Sequence, residues 1–473
     1  MSPRPSEGPS GERATGRLAS LSIELAGASP FRLLRGSDGA RGFWPRGERW
    51  VAHAGVVAAV TADPGPDRFG HVRRAAAAAA GEPGPSWPEG ADPRLTGRAR
   101  FFGGFSFQDE PGASHLWEGF PAGLFHLPAV ELEGDAEGIA RLHLRARARD
   151  GESDASLRER LEARGRELTE RLTGPDADAP AGGEDRARAR ELRPNEADRE
   201  SWDAAVARSL AAITRGDVRK VVLARTLDVP RSDLDPLDVL ARLREDNRGS
   251  YVFYFEPRPG SVLLGTPPET VATVRKGVFH ATAVAGSIGR GATEPEREDL
   301  AARLLASEKD RAEHRIAVED MVRRLEGMAT SVWAADEPRV LVLPAIQHLE
   351  TEIRARLDEG VTAVEALAVL HPTPAVCGEP RDAALELLAR EEPFERGWYA
   401  GPVGWFDLEG NGVFAPALRS AVLSDSGWRL FAGAGIVAGS RADAEWTETR
   451  IKLEPVLRAL RAAASATPRA DAR

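Results

Sequence analysis

Cysteine is all but missing from this chain: 473 residues contain one, Cys377. An intrachain disulfide and a cysteine-built zinc site are therefore both excluded. Lysine is nearly as scarce. Of 63 basic residues four are lysine, at Lys220, Lys276, Lys309 and Lys452, and the other 59 are arginine. A genome-wide coding bias accounts for the imbalance, yet its consequence is informative. Arginine keeps its proton inside a protein, whereas a desolvated lysine can give one up. The residual lysines are candidates for chemistry that arginine cannot do. No stretch of about 18 apolar residues is present to span a membrane. The opening MSPRPSEGPSGERATGR has no apolar core of a secretory signal, so the cytoplasm is the expected location. A basic surplus is missing too: the net charge is -10, which argues against nucleic acid as a partner. An anionic substrate would need a local basic pocket.

Apolar residues make up 42% of the chain, ample for a packed core. Residues 1–17 are rich in Pro, Gly and Ser and are expected to be disordered. Residues 18–173 form a variable α+β part, with short apolar runs broken by glycine and proline and a polar helix over 156–172. ARFFGGFSF is expected to be a buried strand pair around Gly103 and Gly104. Residues 174–198 are of low complexity and are assigned to a linker or surface loop. A second part, 199–462, opens with a helix ended by Gly216. Strand-like runs follow, then one long helix over about 295–327, further strands, and a closing helix over 441–463. Strands mostly precede the long helices, which favours α+β over regular βαβ alternation, with large mixed or antiparallel sheets and helices outside. The parts 18–173 and 199–462 are expected to form one structural unit, and 463–473 to fray.

Several constellations carry chemistry. In the strand VRKVVLAR, alternation puts Lys220 on one face with Val222 and Ala224. Desolvation there disfavours the ammonium form, which suits a general base; an edge-strand lysine that blocks aggregation has the same pattern. In LLGTPPETV, prolines hold Glu269 in a rigid turn, though solvated turn glutamates are common. In SEKDRAEHRIAVEDM, Glu313 shares a helical face with Ala302, Ala306, Ile316 and Ala317. A carboxylate so placed needs a basic partner or a cation.

Glu445, Glu448 and Lys452 lie on one face of the closing helix, behind a capping-box-like start at Ser440 and Asp443. Two carboxylates on one face fit a hard divalent cation; a salt-bridged solvent face fits equally. Gly433, Gly435 and Gly439 allow close approach of a ligand to the backbone. A dinucleotide-binding reading of these glycines fails, because no second strand and no ribose-binding acid follow. Tyr399 and Arg419, expected on adjacent strands, could hold a carboxylate by a hydroxyl and a guanidinium fork.

The order of these elements is more specific than any one of them. KVVLAR, GTPPET, AGS, SEKDRAEH, LPAIQHL, LHPTPAVCGEP, ERGWYAGPVGW, ALRSA and AGAGIVAGSRADAEWTETRIKL resemble the successive motifs of the chorismate-binding family, densely over about 199–460 and thinly, through FFGGFSF, before that. The family includes isochorismate, salicylate, anthranilate and aminodeoxychorismate synthases. The resemblance implies a chorismate-utilising fold and Mg2+ dependence. It implies Lys220 as the base that activates water for attack at C2 and Glu269 as the acid at the departing C4 hydroxyl. It places Glu313 and Glu448 at the magnesium ligands, with Glu445 close by. Tyr399, Arg419, Gly433, Gly435, Lys452 and Ser287 fall at substrate contacts, and His348 beside the ring. Within the family, SEKDRAEH, LHPTPAVCGEP and WYAGPVGWF are most similar to the isochorismate synthases. The nucleophilic lysine frequent in aminodeoxychorismate synthases is replaced by Ala285, and the tryptophan-sensing element of anthranilate synthases is missing, so no glutaminase partner is expected. Salicylate synthase, with a further pyruvate elimination, is the nearest alternative, and a non-catalytic paralogue the remote one. Pro267 stands where the family usually has Ser, and Ser287 where it has Thr. Whether the product feeds a quinone, a siderophore or salicylate is open at this point.

Overall fold

β-Branched and aromatic runs separated by glycine turns dictate strands through most of the chain, and the computed structural model joins twenty-one of them in one hydrogen-bonded sheet network. It describes residues 16–81, 83–87, 99–110, 112, 114–135, 138–173, 195–196, 199–247 and 250–464. The expectations for 1–17 and 463–473 fall mostly outside these residues. So does that for 174–198, apart from Asn195–Glu196, which pair with Lys220–Pro230. Strand pairs are antiparallel throughout the described residues, except for Leu18–Ala26 beside Pro83–Trp87. The fold is α+β, with helices packed against a large antiparallel sheet.

Pairing crosses the chain from end to end. Arg41–Arg46 pairs with Phe253–Arg258, and Arg100–Phe105 pairs with Pro402–Asp407. Antiparallel strands so far apart in sequence are brought together by buried faces rather than by hairpin turns, and the apolar side chains gather into three large clusters. The run RFFGGF is one strand, not a pair. Gly103 and Gly104 are flanked by Gly123–Gly134 on one side and Pro402–Asp407 on the other, and a Cβ at either position would strike neighbouring backbone.

Two helices matter most for the site. The expected helix over 295–327 is two helices, Glu294–Ala306 and Glu308–Glu326. Ser307 breaks the run: its extended backbone closes the first helix, and its hydroxyl accepts from the Asp310 N–H to cap the second. Ala302 and Ala306 therefore do not share a helix with Glu313. The closing helix runs Ala442–Ala464. Its expected capping box does not form; the Ser440 hydroxyl instead accepts from the Val437 N–H.

Candidate active site

Lys220 opens the strand Lys220–Pro230, which is paired on both sides, by Gly378–Glu379 and by Gly427–Ile436. The edge-strand reading is thereby excluded, and Lys220 is fully buried. Its surroundings are not purely apolar, as alternation alone suggested. The Glu313 carboxylate, from the helix Glu308–Glu326, lies 3.0 Å from Nζ. Burial pushes the Glu313 carboxyl up, but Lys220 together with Lys309 and Lys452 outweighs it and the group stays below its ordinary value. Gly435 makes this approach possible, because a Cβ there would fall on Glu313 Oε1 and within 3.1 Å of Lys220 Cε.

Glu269 sits in the turn after Ser261–Gly265. Thr266 of the same turn donates its N–H to the Arg419 carbonyl at 3.2 Å, so one short loop positions both groups. The Glu269 carboxylate accepts the Val284 N–H at 3.0 Å. Burial is the larger influence and pushes its pKa up to about 8, against that hydrogen bond and the charges of Lys220, Lys452 and Arg419. A buried acid that keeps its proton at neutral pH is a proton donor in waiting.

Strand Val278–Gly289 bulges at Gly286, where φ is +73°. The bulge sets Ser287 opposite His348, and the Ser287 hydroxyl lies 3.0 Å from His348 Nδ1. His348 Nε2 accepts from Arg419 Nη2 at 2.5 Å, which assigns the ring proton to Nδ1. Burial, then Arg419 and Lys452, holds the His348 pKa well below its usual range, so the ring is neutral. Arg419 has a φ of +46°, rare for a non-glycine residue, and burial lowers its pKa to about 10, still charged at neutral pH. Tyr399 and Arg419 are not on adjacent strands. Tyr399 lies in the turn before Pro402–Asp407, and Arg419 just before Ser420–Ser424.

Glu269, Ser287, Glu313, His348, Tyr399, Arg419, Gly433, Gly435 and Lys452 all line one inner chamber of about 60 Å³. Lys220 lies behind Glu313. Glu445 and Glu448 line an outer vestibule of about 510 Å³, of which Ser287 is also a wall. All twelve nominated residues thus gather around two adjoining spaces. A separate cavity of about 420 Å³, walled by Trp44, Trp50 and Trp405, contains no lysine and none of the nominated residues.

Lys309 escaped assignment from the sequence. It donates to Glu445 at 2.6 Å and lines the vestibule. The signal was present in the lysine count: three of the four lysines end at this site, each on a carboxylate. The pairs are Lys220–Glu313, Lys309–Glu445 at 2.6 Å and Lys452–Glu448 at 2.6 Å. The fourth, Lys276, is exposed in a hairpin turn. Burial and the neighbouring Glu448 charge raise the Glu445 pKa. Two crowded carboxylates of this kind suit a hard divalent cation, which relieves their repulsion and prefers oxygen.

Among the described residues one tight group of three potential metal ligands occurs elsewhere, Glu131, Glu133 and His143. Arg100 already bonds both carboxylates, and Arg145 lies 2.9 Å from Glu131. Two guanidinium groups supply the positive charge a cation would bring, so this group is a buried ion network.

The family described as chorismate binding enzyme matches residues 9–461. The salicylate biosynthesis isochorismate synthase of Pseudomonas aeruginosa is 37% identical over 374 residues, covering 77% of this chain and 74% of that protein. Isochorismate synthase MenF of Bacillus subtilis is 35% identical over 364 residues, covering 76% and 74%. Among solved structures, the menaquinone-specific isochorismate synthase MenF of Escherichia coli superposes with a TM-score of 0.73 at 26% identity, covering 94% of this chain and 95% of that one. Anthranilate synthase component I of Streptococcus pneumoniae, at 21% identity and a TM-score of 0.68, shares the fold. No helix among the described residues is long and apolar enough to cross a membrane.

Proposed function

The chain belongs to the chorismate binding enzyme family, and from that premise we propose that it converts chorismate to isochorismate, as the names of its relatives describe. The observation that carries the reading is Glu269, a carboxyl held protonated at neutral pH inside a chamber that also presents Arg419 and Lys452. Chorismate carries two carboxylates, and two fixed cations offset them in an acidic protein. Arg419, braced by His348 and Ser287, offers a planar fork to one carboxylate. Glu269 gives its proton to the departing C4 hydroxyl. Lys220, in its neutral amine form, takes a proton from the water that attacks C2, and the ring double bond shifts between the two positions. An acid on the chamber wall and a base behind Glu313 are separate groups, which suits a substitution whose entering and leaving oxygens sit at different carbons. Ala285 lines the chamber without a nucleophile, which disfavours a route through a covalent adduct at that position.

Glu313, Glu448 and Glu445 are the residues that would hold Mg2+; the raised pKa of Glu445 beside Glu448 supports that fit. The ion would supply charge compensation for a substrate carboxylate. The test is to incubate the purified chain with chorismate and magnesium and resolve the products by chromatography. Isochorismate as the released product supports the reading. Salicylate with pyruvate would replace it by the salicylate synthase activity, and unchanged chorismate would refute both.

A further inference from the structure

Lys309 has no part in the reaction described above, yet it bonds Glu445, one of the two vestibule carboxylates assigned to the metal. It stands in the first turn of the helix Glu308–Glu326 and reaches across to the closing helix, where it bonds Glu445. The Glu445 side chain is almost fully buried, and that of Lys309 is partly exposed to the vestibule. Burial draws the Lys309 pKa down, but Glu445, Glu313 and Glu448 together outweigh it and leave it raised. One ammonium thus bonds Glu445 in the same vestibule wall that holds Glu448. The chamber tells the same story from its volume. About 60 Å³ accommodates roughly four waters, not a ring with two carboxylates and an enol ether. Side chains between chamber and vestibule must rearrange for substrate to enter, and the Lys452–Glu448 pair joins the two spaces, with Lys309–Glu445 in the vestibule wall.

We propose that Lys309 is a resident counter-ion of the metal site: its ammonium neutralises Glu445, beside Glu448 in the vestibule wall, in place of magnesium, and metal entry expels it from Glu445 into the vestibule. The inference rests on the reading of those glutamates as magnesium ligands. Lysine suits such an exchange because its ammonium is a compact charge on a flexible stem, whereas an arginine fork would hold a carboxylate in two bonds. Metal entry breaks one charge-assisted hydrogen bond, so metal affinity is weak until an anionic ligand arrives to share the cluster. Lys309 is in this sense a positioning residue that sets metal affinity and leaves the chemistry to others.

The chain's four lysines make the test direct. The full-length protein is labelled briefly with acetic anhydride at rising magnesium concentrations, and acetylation is mapped by peptide mass spectrometry, with exposed Lys276 as internal reference. Lys309 labelling is expected to rise several-fold as magnesium binds, while Lys276 stays constant. In parallel, calorimetric titration of Lys309→Met in the absence of chorismate is expected to show magnesium binding about tenfold tighter than wild type, the scale of one charge-assisted hydrogen bond no longer broken. A merely structural lysine would leave metal affinity unchanged or weaker. Magnesium binding with Lys309 labelling unchanged or reduced overturns the inference alone. No magnesium binding to the wild-type chain at any concentration overturns the metal reading and the inference with it.

Discussion

Two buried ion clusters in this molecule are built from the same carboxylate chemistry and differ in their cations. In the sheet formed by the first part of the chain, Glu131 and Glu133 are clasped by Arg100 and Arg145, with His143 against Glu133 and Ser22. In the chamber and vestibule, Glu313, Glu445 and Glu448 each meet a lysine. The first cluster borders the tryptophan-walled cavity through Arg100 and Glu133 but holds no residue proposed for catalysis, and the planar Arg100 guanidinium bonds both carboxylates. The second borders the chamber and vestibule, and its ammonium groups are single points of charge on flexible stems. In a chain with 59 arginines, the cations that meet the site's three carboxylates are lysines, which can move or give up a proton, while arginine serves there as a fixed fork at Arg419 and elsewhere as the clasp of the first cluster.

The sharpest way to break that contrast is to exchange the cations. Lys220→Arg keeps the charge and roughly the volume, yet should abolish isochorismate formation, because arginine does not act as a base near neutral pH. Turnover by chromatography with circular dichroism as a folding control checks this. A variant that hydroxylates chorismate at a wild-type rate would move the base elsewhere. The converse substitution sits in the arginine-clasped cluster. Glu131→Gln leaves Arg100 and Arg145 short of a buried partner and should destabilise the fold by about 3–5 kcal/mol, read from the denaturant midpoint, with turnover retained below the transition. Loss of turnover without loss of stability would mean that the two clusters are not separate in function.

Smaller effects sharpen the account of the substrate groups. Arg419→Lys replaces a fork by a point charge and should weaken chorismate affinity by about ten- to a hundredfold, the worth of one charge-assisted hydrogen bond. Calorimetric titration with chorismate measures it, and an unchanged affinity would remove Arg419 from recognition. The pH dependence follows from Glu269. Its folded pKa of about 8 lies above the ordinary 4.5, so between those values the fold binds a proton that the unfolded chain releases. The associated stability is fully present below 4.5 and is lost as pH rises through 8. The acid form falls away above the same point, so kcat/KM should decline about tenfold per unit above pH 8. A flat profile to pH 9 would contradict the acid role.

Much of this contrast was legible in the sequence. The lysine count pointed to a site, and the ordered motifs carried Lys220, Glu269, Glu313 and Lys452 to positions that meet around one chamber. What local reading missed were contacts made across the chain. Alternation surrounded Lys220 with apolar neighbours, but Glu313 comes from a helix about ninety residues away, and no periodicity shows that. Lys309 was visible as a rare lysine, yet its partner Glu445 is 136 positions distant. Tyr399 and Arg419 line the same chamber from turns whose geometry depends on the sheet beneath them. The break at Ser307 was readable, because Ser307 followed three residues later by Asp310 is a cap signal; the helical periodicity on both sides concealed it.

The central claim is that a buried acid in this chamber protonates the hydroxyl leaving C4 of chorismate. Its most direct measurement compares wild type with Glu269→Gln at saturating chorismate and magnesium, with chorismate affinity determined separately. The account predicts isochorismate from the wild type, and a variant that binds chorismate with little change but turns over about 10²–10⁴-fold more slowly. Near-normal turnover in Glu269→Gln would contradict it.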